Sequence, residues 1–86
     1  MGFKISKHAR REMDRRGIPL DSVETILMKP QQIIDEYGSR KAYQSIIEFA
    51  GKKKYLVRVI LDESVEPARV VTVYRTSKIK KYWRAT

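Results

Sequence analysis

The stretch from Ala42 to Thr76 decides the fold, and it reads AYQSIIEFAGKKKYLVRVILDESVEPARVVTVYRT. Apolar and polar residues alternate in three of its segments with a period of two, which is typical of half-buried β-strands. These segments are Ala42 to Phe49, Tyr55 to Leu61 and Arg69 to Thr76. The turn from Gly51 to Lys53 and the acidic turn from Asp62 to Pro67 separate them. Because both connections are short, consecutive strands are predicted to be antiparallel neighbours.

Two helices are predicted upstream of this stretch. The first runs from Ser6 to Arg16, with Ser6 placed to cap its amino end and Gly17 just beyond its carboxyl end. The second begins with Asp21 and Glu24 in a capping-box-like spacing, and Pro30 ends it. Helices this short are marginal alone, so they are expected to pack on the sheet.

The segment from Gln32 to Tyr37 is predicted to be a fourth strand, followed by a turn at Gly38. The chain is therefore predicted to be one α+β domain over residues 1–86, with two N-terminal helices packed on a four-stranded antiparallel meander. Strand alternation places Arg58 on the face opposite the regularly apolar one. The predicted core consists of Ile5, Ala9, Met13, Val23, Ile26, Leu27, Tyr43, Ile47, Phe49, Val57, Val59, Val71 and Val73.

The composition excludes several classes of site. There is no cysteine, so neither a disulfide framework nor a thiolate metal site can form. His8 is the only histidine, which excludes metal sites built from several imidazoles. No apolar run approaches the length of a membrane span, and the first residues carry charges where a signal peptide would be apolar. We expect a cytoplasmic protein without a cofactor, a metal or a membrane association.

The charge of the chain predicts an anionic partner. Nineteen Lys and Arg residues against ten Asp and Glu give a formal net charge of +9, a field that attracts polyanions. The cations form a helix stripe and a basic C-terminal tail, residues 77–86, in which aromatics alternate with lysines. Such a tail suits phosphate binding and base stacking, although Trp83 could instead cover the edge of the core. The predicted nucleic-acid-binding residues are Lys7, Arg11, Arg15, Arg40, Lys80, Trp83 and Arg84.

The block Ser6 to Gly17, Ser-x-His-Ala-x-x-x-Met-x-x-Arg-Gly, resembles a family of small bacterial and phage-borne proteins. The stretches Asp35 to Gly38, Arg40 to Tyr43 and Val71 to Thr76 extend the resemblance over nearly the whole chain. That family looks like an outlying branch of the RelE/ParE and BrnT toxin superfamily. The resemblance implies a RelE-like fold, an activity that is either metal-independent cleavage of messenger RNA or poisoning of gyrase, and neutralisation by a cognate antitoxin protein.

The resemblance also implies catalytic residues on the central strands and in the tail. In metal-independent cleavage the 2′-hydroxyl attacks its own phosphate, with a base, an acid and cations around that phosphate. The chain lacks the C-terminal histidine found in some RelE-type ribonucleases. The implied roles are charge stabilisation by Arg58 and Arg75, a base at Lys78 or Lys81, and an acid at Tyr82 or His8.

Two alternatives remain open from the sequence. His8 lies one helical turn before Glu12, so it could be an edge residue bonded to that carboxylate instead of an acid. The whole chain could likewise be a non-catalytic basic module that holds nucleic acid or an acidic partner protein. Both functions require the same cations, and only the geometry of the site separates them.

Overall fold

Five strands and three helices follow one another in the computed structural model, which describes residues 2–85. In chain order these are β1 (Phe3–Ile5), α1 (Lys7–Arg16), α2 (Leu20–Met28), β2 (Gln32–Asp35), β3 (Arg40–Glu48), β4 (Lys54–Asp62), β5 (Ala68–Thr76) and α3 (Ile79–Tyr82). A single 3-10 turn, Ala50–Lys52, joins β3 to β4. Within residues 2–85, no helix has the length and apolar character needed to cross a lipid bilayer.

The strands form one mixed sheet in the order β1-β5-β4-β3-β2. Strands β2 to β5 are the predicted antiparallel meander, which is confirmed. The prediction of a four-stranded, purely antiparallel sheet is wrong, because β1 pairs in parallel with β5, Phe3 opposite Ala68. Three residues are too few to show a strand period, and Ile5 also fitted the apolar stripe of the following helix. The main-chain N–H of Ser6 then donates to the carbonyl of Val70 at 3.0 Å, where the chain leaves the sheet for α1.

The first helix has the predicted ends, whereas the second begins differently. The hydroxyl of Ser6 accepts a hydrogen bond from the N–H of Ala9 at 3.0 Å, and Gly17 ends α1 with φ +65°. A left-handed residue at this position favours glycine. In α2, Pro19 precedes the first helical residue and no side chain caps the helix, so the predicted capping box is wrong. Proline fits there because its missing N–H would have no helical partner.

The core lies between the two N-terminal helices and one face of the sheet. Val57, Val59 and Leu61 of β4 point to this face, as strand alternation predicted. From β5, Val70 and Val73 lie in the core. Val71 is only half-buried and lies outside it, so the prediction of Val71 in the core is wrong. A bulge shifts the register, because Ile60 pairs with Thr72 but Leu61 pairs with Val70. The helices contribute Ala9, Met13, Ile18, Val23, Ile26 and Leu27.

Truncation of a core isoleucine should be far more costly than truncation of a surface one. Ile26 is 1% exposed in the core, and Ile33 on β2 is 49% exposed. We expect Ile26→Ala to lower the free energy of unfolding by about 2 to 5 kcal/mol through lost burial and a residual cavity. Ile33→Ala, the matched control, should cost about 1 kcal/mol or less. Urea unfolding measures both, and equal losses would contradict the assigned core.

Candidate nucleic-acid interface

Lysines collect at one end of the sheet. Leu56 pairs with Ile46 on one side and Thr76 on the other, so the β3–β4 turn and the chain after β5 leave the same end. We call this the basic end, and its cations are Lys52, Lys53, Lys54, Arg75 and Lys78. The four lysines are exposed and Arg75 is half-buried. Glu48, directly opposite Lys54, is the acid that the adjoining strands contribute there.

Acids collect at the other end of the sheet, which we call the acidic end. Its carboxylates are Asp35, Glu36, Asp62, Glu63 and Glu66. The cations at this end face acids: Lys41 Nζ lies 3.3 Å from Glu63 Oε1, and Arg69 is the register partner of Asp62. The hydrogen bond from Lys41 to Glu63 raises the pKa of that lysine. Positive and negative charge are therefore separated along the strand direction.

The turn at the basic end keeps a lysine in a backbone conformation that favours glycine. Lys52 has φ +61° and follows Gly51, which has φ +80°. A left-handed conformation costs a residue with a Cβ atom roughly 1 kcal/mol. Gly51 to Lys53 were predicted only as a turn, and the lysines at 52, 53 and 54 were not among the predicted site residues. The sequence pattern that could have predicted them is three successive lysines after a turn glycine. The last of these lysines begins the strand that pairs with β5, and the basic tail follows β5.

Arg58 is buried on the sheet face opposite the helices, with 4% of its side chain exposed. Its Nε donates to Gln44 Oε1 at 2.7 Å, and its Nη1 donates to the hydroxyl of Tyr74 at 2.6 Å. Its Nη2 donates to Glu36 Oε2 at 3.1 Å. The ring of Tyr82 covers the guanidinium, with its centroid 4.6 Å from Cζ. This arginine is thus surrounded by protein groups instead of facing solvent.

Residues 77–85, which we call the C-terminal strap, dock on this same face. Gln44 Nε2 donates to the carbonyl of Tyr82 at 3.2 Å and to Gln32 Oε1 at 2.9 Å. Gln32 Nε2 donates to the carbonyl of Arg84 at 2.6 Å, and the N–H of Arg84 returns a bond to Gln32 Oε1 at 3.1 Å. Two glutamines on neighbouring strands therefore hold the main chain of the strap. The short helix α3 inside it has no counterpart in the sequence prediction.

Arg75 lies on the helix side of the sheet, with the sheet between it and Arg58. Its Cζ is 4.3 Å from the ring centroid of Phe49 and 4.6 Å from that of Tyr55. Strand alternation predicted that Tyr74 and Arg75 point to opposite faces, and the structure confirms it. The two arginines expected to stabilise charge on one phosphate are not brought together.

His8 is exposed, and its Nε2 lies 3.3 Å from Thr72 Oγ1. The alternative that it bonds to Glu12 is wrong. The Glu12 carboxylate instead accepts from Arg15 Nη2 at 2.8 Å and from Arg16 Nε at 3.0 Å. Arg15 of the predicted helix stripe is consequently paired.

The remaining predicted residues divide between the strap and other surfaces. Lys7 and Arg11 are exposed on α1, and Arg40 is exposed at the acidic end. Tyr82 and Trp83 are half-buried, and Lys81 Nζ lies 5.3 Å from the Tyr82 ring centroid. The exposed cations of the strap are Lys78, Lys80, Lys81 and Arg84.

Loss of the Arg58 side chain should destabilise the fold. Arg58→Ala removes the donor shared by β3, β5 and Glu36 and leaves their acceptors facing a void. We expect a loss of about 3 to 5 kcal/mol in the free energy of unfolding. Arg11→Ala, on an exposed helix position, should change it by about 0.5 kcal/mol or less. If urea unfolding shows both variants close to the parent, the network has no structural importance.

The ion pairs of Glu12 predict a pH dependence of stability. Hydrogen bonds from Arg15 and then Arg16 lower the pKa of Glu12 from its ordinary 4.5 to about 2. Since the folded pKa lies below the unfolded one, the stabilisation is present above the unfolded pKa and disappears as pH falls through the folded one. We expect Glu12→Gln to be less stable than the parent at neutral pH. The difference in urea midpoint should narrow as pH falls from about 4.5 to about 2, and a constant difference would contradict the pairing.

Comparison with known proteins identifies the family to which the chain belongs. No curated protein and no solved structure matches the chain. The relationship to RelE/ParE and BrnT toxins stays a prediction. The family described as domain of unknown function, DUF4258, matches residues 5–75, from the last residue of β1 to the penultimate residue of β5. The match spans the meander, both N-terminal helices and Arg75, and the chain is a member of the DUF4258 family.

Proposed function

We propose that the protein is a toxin-like RNA-binding domain that contacts its RNA through the basic end and the adjoining C-terminal strap. The observation that carries the proposal is the separation of charge along the sheet. Exposed lysines at 52, 53, 54 and 78 occupy one end, and the carboxylates of the sheet other than Glu48 lie at the other end. An evenly spread positive charge would favour solubility alone, whereas a one-sided field orients a polyanion.

Phosphate contacts by these lysines explain both affinity and orientation. A basic groove or end that tracks a backbone binds single strands with little dependence on sequence. Each phosphate neutralised by a cation releases a counterion, which makes the binding strongly salt-dependent. The acidic end repels the same backbone, so the RNA is expected to approach along one direction only.

Binding is favoured over cleavage because the candidate catalytic groups do not all share one location. Arg58, Tyr82 and Lys81 lie together, whereas Arg75 lies on the opposite face of the sheet. Arg58 already donates to Gln44, Tyr74 and Glu36 beneath the strap. His8 contacts Thr72, which lies four residues before the end of β5, about 13 Å at the usual rise per strand residue. Lys78 lies beyond that strand end. An acid and a base acting on one phosphate must both be within hydrogen-bond distance of it.

The test compares two triple variants with the same change of charge. Lys52→Gln, Lys53→Gln and Lys54→Gln together remove the turn lysines. Lys4, Arg40 and Arg69, also exposed but on β1 and at the acidic end, are changed to Gln in the control. We expect the turn variant to bind a single-stranded RNA at least about tenfold more weakly, with a slope of log K against log salt reduced by about 2. The control should lose much less, and equal losses would contradict the proposed interface.

The same purified protein separates the rival functions. Incubation with RNA in the presence of EDTA should leave the RNA intact while salt-sensitive binding persists. Cleavage under these conditions, with arrest of a growing bacterial host, would instead establish the ribonuclease of a toxin–antitoxin pair. Binding of polyglutamate as tight as that of RNA at equal ionic strength would favour an acidic protein partner.

A further inference from the structure

Arg75 is held in a corner made by two aromatic rings. The rings of Phe49 and Tyr55 meet edge to face, with centroids 5.4 Å apart and planes at 88°. The guanidinium lies against both, 4.3 Å from the first centroid and 4.6 Å from the second. Contact with aromatic faces fixes the plane of a guanidinium while leaving the N–H groups at its rim free to donate.

Those N–H groups have no acceptor among residues 2–85. No hydrogen bond and no carboxylate within 4.0 Å is found for Arg75 in this part of the chain, and the residue is half-buried. Arg58, the arginine of the neighbouring strand, shows the contrast, because its guanidinium donates to three protein groups. Two aromatic rings therefore orient the Arg75 guanidinium, and its N–H groups make no hydrogen bond within residues 2–85.

A second cation shares the same aromatic platform. Lys53 Nζ lies 5.5 Å from the centroid of the Tyr55 ring, which Arg75 also contacts. Glu48 is the acid of the neighbouring strand end, and its register partner is Lys54. Two positive groups therefore contact one ring, and no carboxylate of residues 2–85 lies within 4.0 Å of either.

We propose that Arg75 and Lys53, positioned by Phe49 and Tyr55, form a phosphate-binding site. The inference rests on the proposed function only for the identity of the polymer that carries the phosphate. The planar fork of an arginine matches two phosphate oxygens at once, and the lysine adds a point charge. Such a phosphate is either a phosphodiester within an RNA strand or a terminal monoester.

The site is tested directly by the ¹⁵N NMR signal of the Arg75 Nε–H group. Inorganic phosphate and adenosine 5′-monophosphate should each shift this signal in a saturable manner, whereas chloride at equal ionic strength should not. The Nε signal of Arg69, at the acidic end of the same strand, is the internal control and should not move. A shift of equal size at both arginines, or no shift at Arg75, would overturn the site.

Variants then distinguish geometry from charge. Arg75→Lys keeps the charge but loses the planar fork, and we expect it to bind phosphate and RNA at least about tenfold more weakly than the parent. Arg69→Lys should remain within about twofold, and urea unfolding verifies that both are folded. If Arg75→Lys binds as the parent does, charge alone is at work and the inference is overturned.

The sources of the phosphate and the two proposals can be separated. An RNA with a 5′-phosphate that binds more tightly than the same RNA with a 5′-hydroxyl identifies a terminal monoester, and equal affinity identifies a phosphodiester. RNA binding that depends on Lys52 to Lys54 but not on Arg75 leaves the proposed function standing without the site. A saturable shift at Arg75 in a protein that binds no RNA leaves the site standing without the proposed function.

Discussion

The hydrogen bonds of the Arg58 guanidinium hold together the face of the sheet that α1 and α2 do not cover. A charge withdrawn from water is strongly destabilising unless its donors find acceptors. Here Gln44 supplies one from β3, Tyr74 one from β5, and Glu36 an anionic one just after β2. One side chain therefore links β3, β4, β5 and the residue that follows β2, on the face that α1 and α2 do not cover. Tyr82 completes the enclosure from above.

This burial also divides the arginines of the sheet into two kinds. The N–H groups of Arg58 are hydrogen-bonded to protein acceptors. Arg75, on the next strand, is positioned by Phe49 and Tyr55, and its N–H groups have no acceptor among residues 2–85. The difference follows from strand alternation. Register partners on adjacent strands point to the same face, and Arg75 is the partner of Val57, which faces the helices, and not of Arg58. A formal charge of +9 therefore overstates the charge available to a partner. What matters is which cations have no carboxylate beside them.

Period-two alternation in the stretch from Ala42 to Thr76 was enough to predict β3, β4, β5 and their order. It also placed Arg58 away from the helices. It could not show that Arg58 is buried, because the burial depends on the strap. The strap contacts Gln32 from 52 residues further along the chain and Gln44 from 38 residues further. The strand β1 and the bulge after Ile60 were missed for the same reason, since each is set by pairing and not by local pattern. The clustering of Lys52 to Lys54 with Lys78 likewise could not be predicted without the register of β3, β4 and β5.

Apart from the ring of Tyr82, which covers Arg58, the strap docks through hydrogen bonds to its main chain. Gln32 and Gln44 bond to the carbonyls of Tyr82 and Arg84 and to the N–H of Arg84. Any residue other than proline supplies the same groups. Exchanges at Lys80, Lys81 and Arg84 can accordingly alter what the surface selects while the scaffold is retained.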